Sequence, residues 1–173
     1  MRVYVDSSAL LKRVFAEPDS PAAVSMLRER FDAGATLAAS SLAWVEVSRV
    51  VLSQILGASV STGERRSVDD ETALASRAEA LIEIALSGLV EKPISSEVIA
   101  LARRLRPPVL RSLDAIHLAS ALLLDVDRIM TYDQRLAVVA GYHGIQVETP
   151  RRVCGVAAVQ GNPRPAHHLG DDI

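Results

Sequence analysis

Short apolar runs alternate along this chain with apolar positions at helical spacing. Val3-Tyr4-Val5 is β-prone and ends at Asp6-Ser7-Ser8, polar residues that cap the helical pattern Leu10, Leu11, Val14, Phe15. Glu17-Pro18-Asp19-Ser20-Pro21 ends one helix and opens the next, which carries Val24, Leu27 and Phe31. After Gly34, Thr36-Leu37-Ala38 reads as a second strand. A helix from about Leu42 carries Val45, Val47, Val50 and Val51, with Gly57 as its predicted stop. Gly57 to Glu71 lacks an apolar period and is expected to be an exposed loop. Ala73 to Leu86 returns to helix, Leu89-Val90-Glu91 to strand, and Ser95 or Ser96 caps a helix reaching Leu105, which Arg106-Pro107-Pro108 breaks. The pattern then predicts a helix over Ser112–Leu124, a strand over Arg128–Thr131, a helix over Gln134–Val139 and a last strand at Ile145-Gln146-Val147.

Strands alternating with helices predict an α/β sandwich, a central parallel sheet flanked by helices. A chain of 173 residues with 49% apolar positions supplies one substantial core. Residues 1–150 are read as one domain. Residues 151–173 are read as a tail, since from about Gly155 the chain is rich in Gly, Pro, Asn and Asp without a core-forming period. His167-His168 in that tail lacks the fixed geometry of a metal site.

Charge and cysteine usage narrow the classes. A formal charge of −2 excludes a generally basic nucleic-acid coat, so nucleic-acid binding has to rest on a local patch. Of the 19 basic residues only Lys12 and Lys92 are lysines, and the planar arginine fork suits phosphate, although codon bias accounts for arginine and alanine richness equally well. Cys154 is the single cysteine, which excludes an internal disulfide and makes a poor start for a thiolate metal site. With no cleavable leader pattern and no membrane-spanning apolar run, a cytoplasmic protein is expected.

The candidate chemistry lies in four carboxylates. In a parallel sheet ligands bind beyond the carboxyl ends of the strands, and Asp6 and Asp133 each follow a predicted strand and precede a helix. Asp114 lies near the start of its helix, and Glu46 sits among Trp44, Val45 and Val47, where a solvated charge is unexpected. Carboxylates gathered in one crevice repel each other unless a cation or bound protons neutralise them. Hard oxygen donors without thiols suit Mg2+, with Mn2+ as the alternative. Each residue also has a structural reading: Asp6 and Asp133 as helix caps, Asp114 as a favourable charge near a helix N-terminus, Glu46 paired with Arg49. Spacing alone leaves both readings open.

At these residues the chain resembles the PIN-domain ribonucleases, and most closely the VapC toxins of toxin–antitoxin pairs. The resemblance is carried by Val3-Tyr4-Val5-Asp6-Ser7-Ser8-Ala9-Leu10, Ser41-Leu42-Ala43-Trp44-Val45-Glu46-Val47, Ser112-Leu113-Asp114-Ala115-Ile116-His117-Leu118-Ala119 and Met130-Thr131-Tyr132-Asp133-Gln134-Arg135-Leu136. It covers Met1 to about Pro150. It implies a PIN-like sandwich, metal-dependent RNA cleavage at Asp6, Glu46, Asp114 and Asp133, a hydrogen-bonding role for Ser7, and a Thr131 that orients the last carboxylate or a water. It further implies a VapB-type antitoxin that covers the site with a basic side chain, and a homodimer.

Arg111 is expected either to meet a phosphate or to pair with a nearby carboxylate. His117, three residues after Asp114, is read as a packed or hydrogen-bonded helix residue rather than a general base. Two other acidic-site families fit less well. A haloacid-dehalogenase-type phosphohydrolase needs a second aspartate where Ser8 stands, and a receiver domain needs a lysine that neither Lys12 nor Lys92 supplies. A catalytically silent PIN-like binding module would lack one or more acidic positions, and all four are present.

Overall fold

The computed structural model describes residues 1–60 and 67–151, with the side chains of 58–60 left aside. The expected tail, with Cys154 and His167-His168, lies outside the described residues.

Five parallel strands form one sheet in the order β3-β2-β1-β4-β5: β1 Arg2–Val5, β2 Thr36–Ser40, β3 Val90–Lys92, β4 Arg128–Met130 and β5 Gln146–Glu148. Central β1 is buried on both faces over Val3, Tyr4 and Val5, which is why its sequence is continuously apolar. Alternation along β1 sends Val3 and Val5 into one core with Leu27, Leu37, Ala43, Val47 and Val51. Tyr4 enters the opposite core with Leu118, Ile129, Leu136 and Val139.

The first face is covered by α1 Ser7–Leu10, α2 Ser20–Asp32, α3 Ser41–Val60 and α4 Val68–Leu86. The second is covered by α6 Ser112–Leu123 and α7 Gln134–Tyr142, with α5 Ser96–Ala102 packed against α6. Beginning at β1, the chain moves one way to β2 and β3, then crosses to β4 and β5 on the other side. The crevice between the carboxyl ends of β1 and β4 is therefore the topological switch point, where such sheets bind ligands.

Several sequence boundaries need correction. The Leu10–Phe15 pattern is a single turn of α-helix followed by a 3-10 turn over Leu11–Arg13. Gly57 does not stop α3, and α4 begins at Val68, so most of the expected 57–71 loop is helical and only 61–66 falls outside the described residues. Packing of α3 against α4 outweighs the weak local signal there. Helix α5 ends at Ala102 rather than Leu105, while α7 runs on to Tyr142. No described helix is long and apolar enough to cross a membrane.

Candidate active site at the switch point

Asp6 follows β1, caps α1 and is 4% exposed. Its Oδ2 accepts from Ser8 Oγ at 2.6 Å, from Thr131 Oγ1 at 2.9 Å and from the Ser8 amide at 3.3 Å. Both hydroxyls also act as acceptors: Ser8 Oγ takes the Tyr132 amide at 2.9 Å, and Thr131 Oγ1 takes the Asp133 amide at 3.0 Å. The turn after β4 is thereby tied to the turn after β1. Oδ1 of Asp6 is left facing His117 Nε2, 3.7 Å away.

Asp133 caps α7, its Oδ1 accepting the amides of Arg135 at 2.7 Å and Leu136 at 3.0 Å. Asp114, in the first turn of α6, accepts the Arg111 amide on Oδ2 at 3.2 Å. The capping readings are therefore correct for Asp6 and Asp133, and Asp114 stands in the first turn of its helix, where its dipole reading put it. Capping and site membership are compatible, because among the described residues Asp114 Oδ1 and Asp133 Oδ2 hold no hydrogen bond.

Glu46 is not paired with Arg49. Its Oε2 lies 2.8 Å from His117 Nε2, and Ser7 supplies a second hydrogen bond. Burial pushes the Glu46 carboxyl up, but the bond and charge of His117, with Ser7, more than offset this and leave it below the ordinary value. Burial pushes His117 down, yet the Glu46 bond and the charges of Asp6, Glu46 and Asp114 leave its pKa raised. On its other side His117 Nδ1 meets the Tyr4 hydroxyl at 2.7 Å, and that hydroxyl accepts the Ser40 amide at 3.1 Å. Burial, foremost, and the Asp6 charge hold the Tyr4 pKa far above its usual value, so the phenol keeps its proton. A protonated phenol that already accepts from Ser40 donates to neutral His117 Nδ1. Nε2 then carries its proton toward Glu46 in both the neutral and charged forms of the ring.

His117 is thus hydrogen-bonded and buried, as read from sequence, but its partners are the site itself. Tyr4 and Ser8 were missed. The signals were present: Tyr4 shares a strand face with Asp6 two residues on, and Ser8 stands two residues after the capping aspartate.

The Asp114 carboxyl is raised by burial first and then by the charge of Asp133, with Asp6 adding to it. Asp114, Asp133 and Asp6 are therefore close enough to repel. Among the described residues no three His, Cys, Asp or Glu side chains already close on one point as a metal cage. The repulsion at Asp114 and the oxygen donor set nonetheless fit a hard divalent cation. The apolar groove of Val24, Leu27, Phe31 and Leu37, edged by Arg13 and Arg28, contains none of these carboxylates.

Comparisons with known proteins agree with this architecture. The PIN domain family matches residues 3–142. Ribonuclease VapC46 of Mycobacterium tuberculosis is 36% identical over 150 residues, covering 86% of this chain and 97% of the relative. Ribonuclease VapC47 of the same species is 35% identical over 136 residues, covering 78% and 86%. Among solved structures, VapBC2 from Rickettsia felis, bound to a promoter DNA fragment, aligns with TM-score 0.60 at 15% identity over 86% of this chain and 98% of that one. A toxin–antitoxin complex from Klebsiella pneumoniae aligns with TM-score 0.51 at 21% identity over 87% and 99%. With its five parallel strands, an acidic crevice at their switch point, a family match over residues 3–142 and relatives aligned over most of their length, this chain belongs to the PIN-domain family, among its VapC-type ribonucleases.

Proposed function

We propose that the protein is a divalent-metal-dependent endoribonuclease, the toxin of a toxin–antitoxin pair, with Asp6, Glu46, Asp114 and Asp133 as its catalytic and metal-holding residues and Mg2+ as the working ion, Mn2+ substituting. The observation that carries the residue assignment is the geometry of the crevice: Thr131 ties Asp6 to the Asp133 turn and His117 joins Glu46 to Asp6, with Asp133 and Asp6 near enough to Asp114 to raise its carboxyl beyond what burial does. A divalent ion bound there would neutralise this charge, draw phosphate oxygens in and make a water more acidic.

The chain's own residues prepare the crevice. Ser8 and Thr131 fix Asp6 through one oxygen and leave the other directed at the crevice. The helix caps fix Asp114 and Asp133 in the same one-sided way. His117 and Ser7 hold Glu46 ionised beside them. Arg111, exposed at the start of α6 and in no ion pair among the described residues, is read as a contact for a phosphate of the RNA. A VapB-type antitoxin that inserts a basic side chain would compete with the ion for the same charge. We further read the protein as a cytoplasmic homodimer.

The test is cleavage of total RNA by purified protein in magnesium or manganese, with and without chelator. Asp6→Asn and Asp114→Asn are expected to fold and to lose most activity, since each keeps shape but deletes a charge. Full cleavage by either variant contradicts the residue assignment.

A further inference from the structure

The acidic crevice explains how RNA would be cut and not how a strand of RNA is held beside it. Helix α7 leaves the crevice at its Asp133 cap and presents Arg135, Val138 and Tyr142 on one side, at helical spacing. All three are exposed, Val138 at 70% and Tyr142 at 73%. Nine helical residues carry this face about 13 Å from the carboxylates.

The connection from α5 to α6 runs between the same two levels. At the far level, His143 just beyond α7 makes a 2.8 Å hydrogen bond from Nε2 to the Arg106 carbonyl, and the Tyr142 and His143 rings meet edge to face at 5.6 Å. At the crevice, the Arg111 amide bonds Asp114. Arg106, Arg111 and Arg135 are exposed, and their guanidiniums make no ion pair among the described residues; the ion pairs of Arg2, Arg30 and Arg128 lie elsewhere. Three exposed cations, without an ion pair among the described residues, and one exposed aromatic ring therefore lie along one strip of backbone, α7 and the α5–α6 connection, on a protein whose net charge is −2.

We propose that this strip is the track for single-stranded RNA entering the active site: Arg111 and Arg135 hold the backbone next to the carboxylates, Arg106 holds it farther out, and an unpaired base stacks on Tyr142. Cationic grooves with exposed aromatic rings bind single strands in this way, the guanidiniums taking phosphates and the ring taking a base face. A second copy of the chain is the competing occupant, given exposed Val138 and Tyr142. A two-fold contact through this face would gather the exposed Arg106, Arg111 and Arg135 of both copies into one interface, a concentration of like charge that disfavours it.

The proposal rests on the ribonuclease reading, so its test measures binding without cleavage. Full-length protein in chelator is titrated into a fluorescein-labelled single-stranded oligoribonucleotide, with anisotropy read across a potassium chloride series. Arg106→Ala and Arg135→Ala are each expected to weaken binding and to reduce the slope of log K against log salt by about 0.7 for each phosphate that the variant no longer neutralises. Tyr142→Ala is expected to weaken binding about tenfold with the slope unchanged, and Tyr142→Phe to restore it. Melting temperature and mass in solution should match the wild type in all four. Wild-type affinity and slope in the three alanine variants overturns the track, and so does a change of oligomeric state in Tyr142→Ala, which assigns the α7 face to a second copy. Binding that behaves as expected, from a wild type that cuts no RNA when metal is restored, fails the catalytic reading and leaves the track standing.

Discussion

Thr131 shows how much of the site rests on single hydroxyls. It is wholly buried, donates to Asp6 Oδ2 and accepts the Asp133 amide, so one atom sets the relation between two carboxylates in the turns after neighbouring strands. Thr131→Val keeps the volume but leaves a buried carboxylate short of a donor and an amide short of an acceptor. A loss of about 1–3 kcal/mol in urea unfolding is expected, with cleavage falling further than stability, while Thr131→Ser keeps most of both. Equal cleavage by the valine variant would show that the hydroxyl does not organise the site.

The His117–Glu46 pair gives a pH prediction for the metal-free protein. A histidine with a raised folded pKa stabilises the fold fully below its ordinary value of 6.5 and loses that contribution as pH climbs through the folded value. A carboxyl with a lowered folded pKa contributes above its ordinary 4.5 and loses this as pH falls through the folded value. The pair's contribution should therefore be largest between those two values and decline on either side. Melting temperature against pH in chelator should lose this shape in His117→Gln; an unchanged profile would remove the pair from the account.

At this scale the sequence is legible where chemistry is local. Asp6 and Asp133 announce themselves as polar residues at strand ends. The attachment of His117 to Glu46 does not, because it joins residues 71 apart on α6 and α3.

Among the elements, α3 and α4 depart most from their sequence pattern. Ser67 caps α4 by accepting the Asp70 amide, and Asp69, Asp70 and Glu71 fill the first turn, where the helix dipole favours acids. Those signals stand in the sequence. The missing apolar period masks them, since exposed Val68, Asp69 and Asp70 bury nothing. Gly57 is the converse case, a residue that usually ends helices but here lies inside one. Among the described residues a Cβ built there meets only Ser53 Oγ, at 3.7 Å, an ordinary contact. Gly57→Ala should therefore stabilise the protein by up to about 1 kcal/mol through helix propensity. On a chain of this size that is a rise in melting temperature of about 2–4 °C. A fall would mean that this turn of α3 is not helical in solution. Gly34, Gly88 and Gly144 have positive φ between 75° and 81°, so alanine there should destabilise instead.

For the molecule as a whole, alternation of strands and helices makes a parallel sheet legible but leaves its strand order open. That order matters, because only with β4 beside β1 do the turns after Val5 and Met130 share a crevice. Four carboxylates come together there on a chain that otherwise carries little net charge. The fold thus holds a local concentration of negative charge that burial makes costly, most visibly at Asp114. Binding a divalent ion to the folded state alone should relieve this and raise the melting temperature. At a metal concentration one hundred times the dissociation constant the gain is about 2.7 kcal/mol. Asp114→Asn should melt higher than wild type in chelator near neutral pH, since a carboxyl with a raised folded pKa costs stability once pH exceeds its ordinary 3.8. The same variant should gain less from magnesium or manganese and cut little RNA. Calcium, with its larger and looser coordination, should stabilise the wild type while supporting cleavage poorly. Melting curves in chelator, magnesium, manganese and calcium, run beside an RNA cleavage assay, separate holding the ion from using it. Melting and cleavage both indifferent to metal in the wild type would sink the metal centre, whereas a metal-induced rise of equal size in Asp114→Asn would move it away from Asp114.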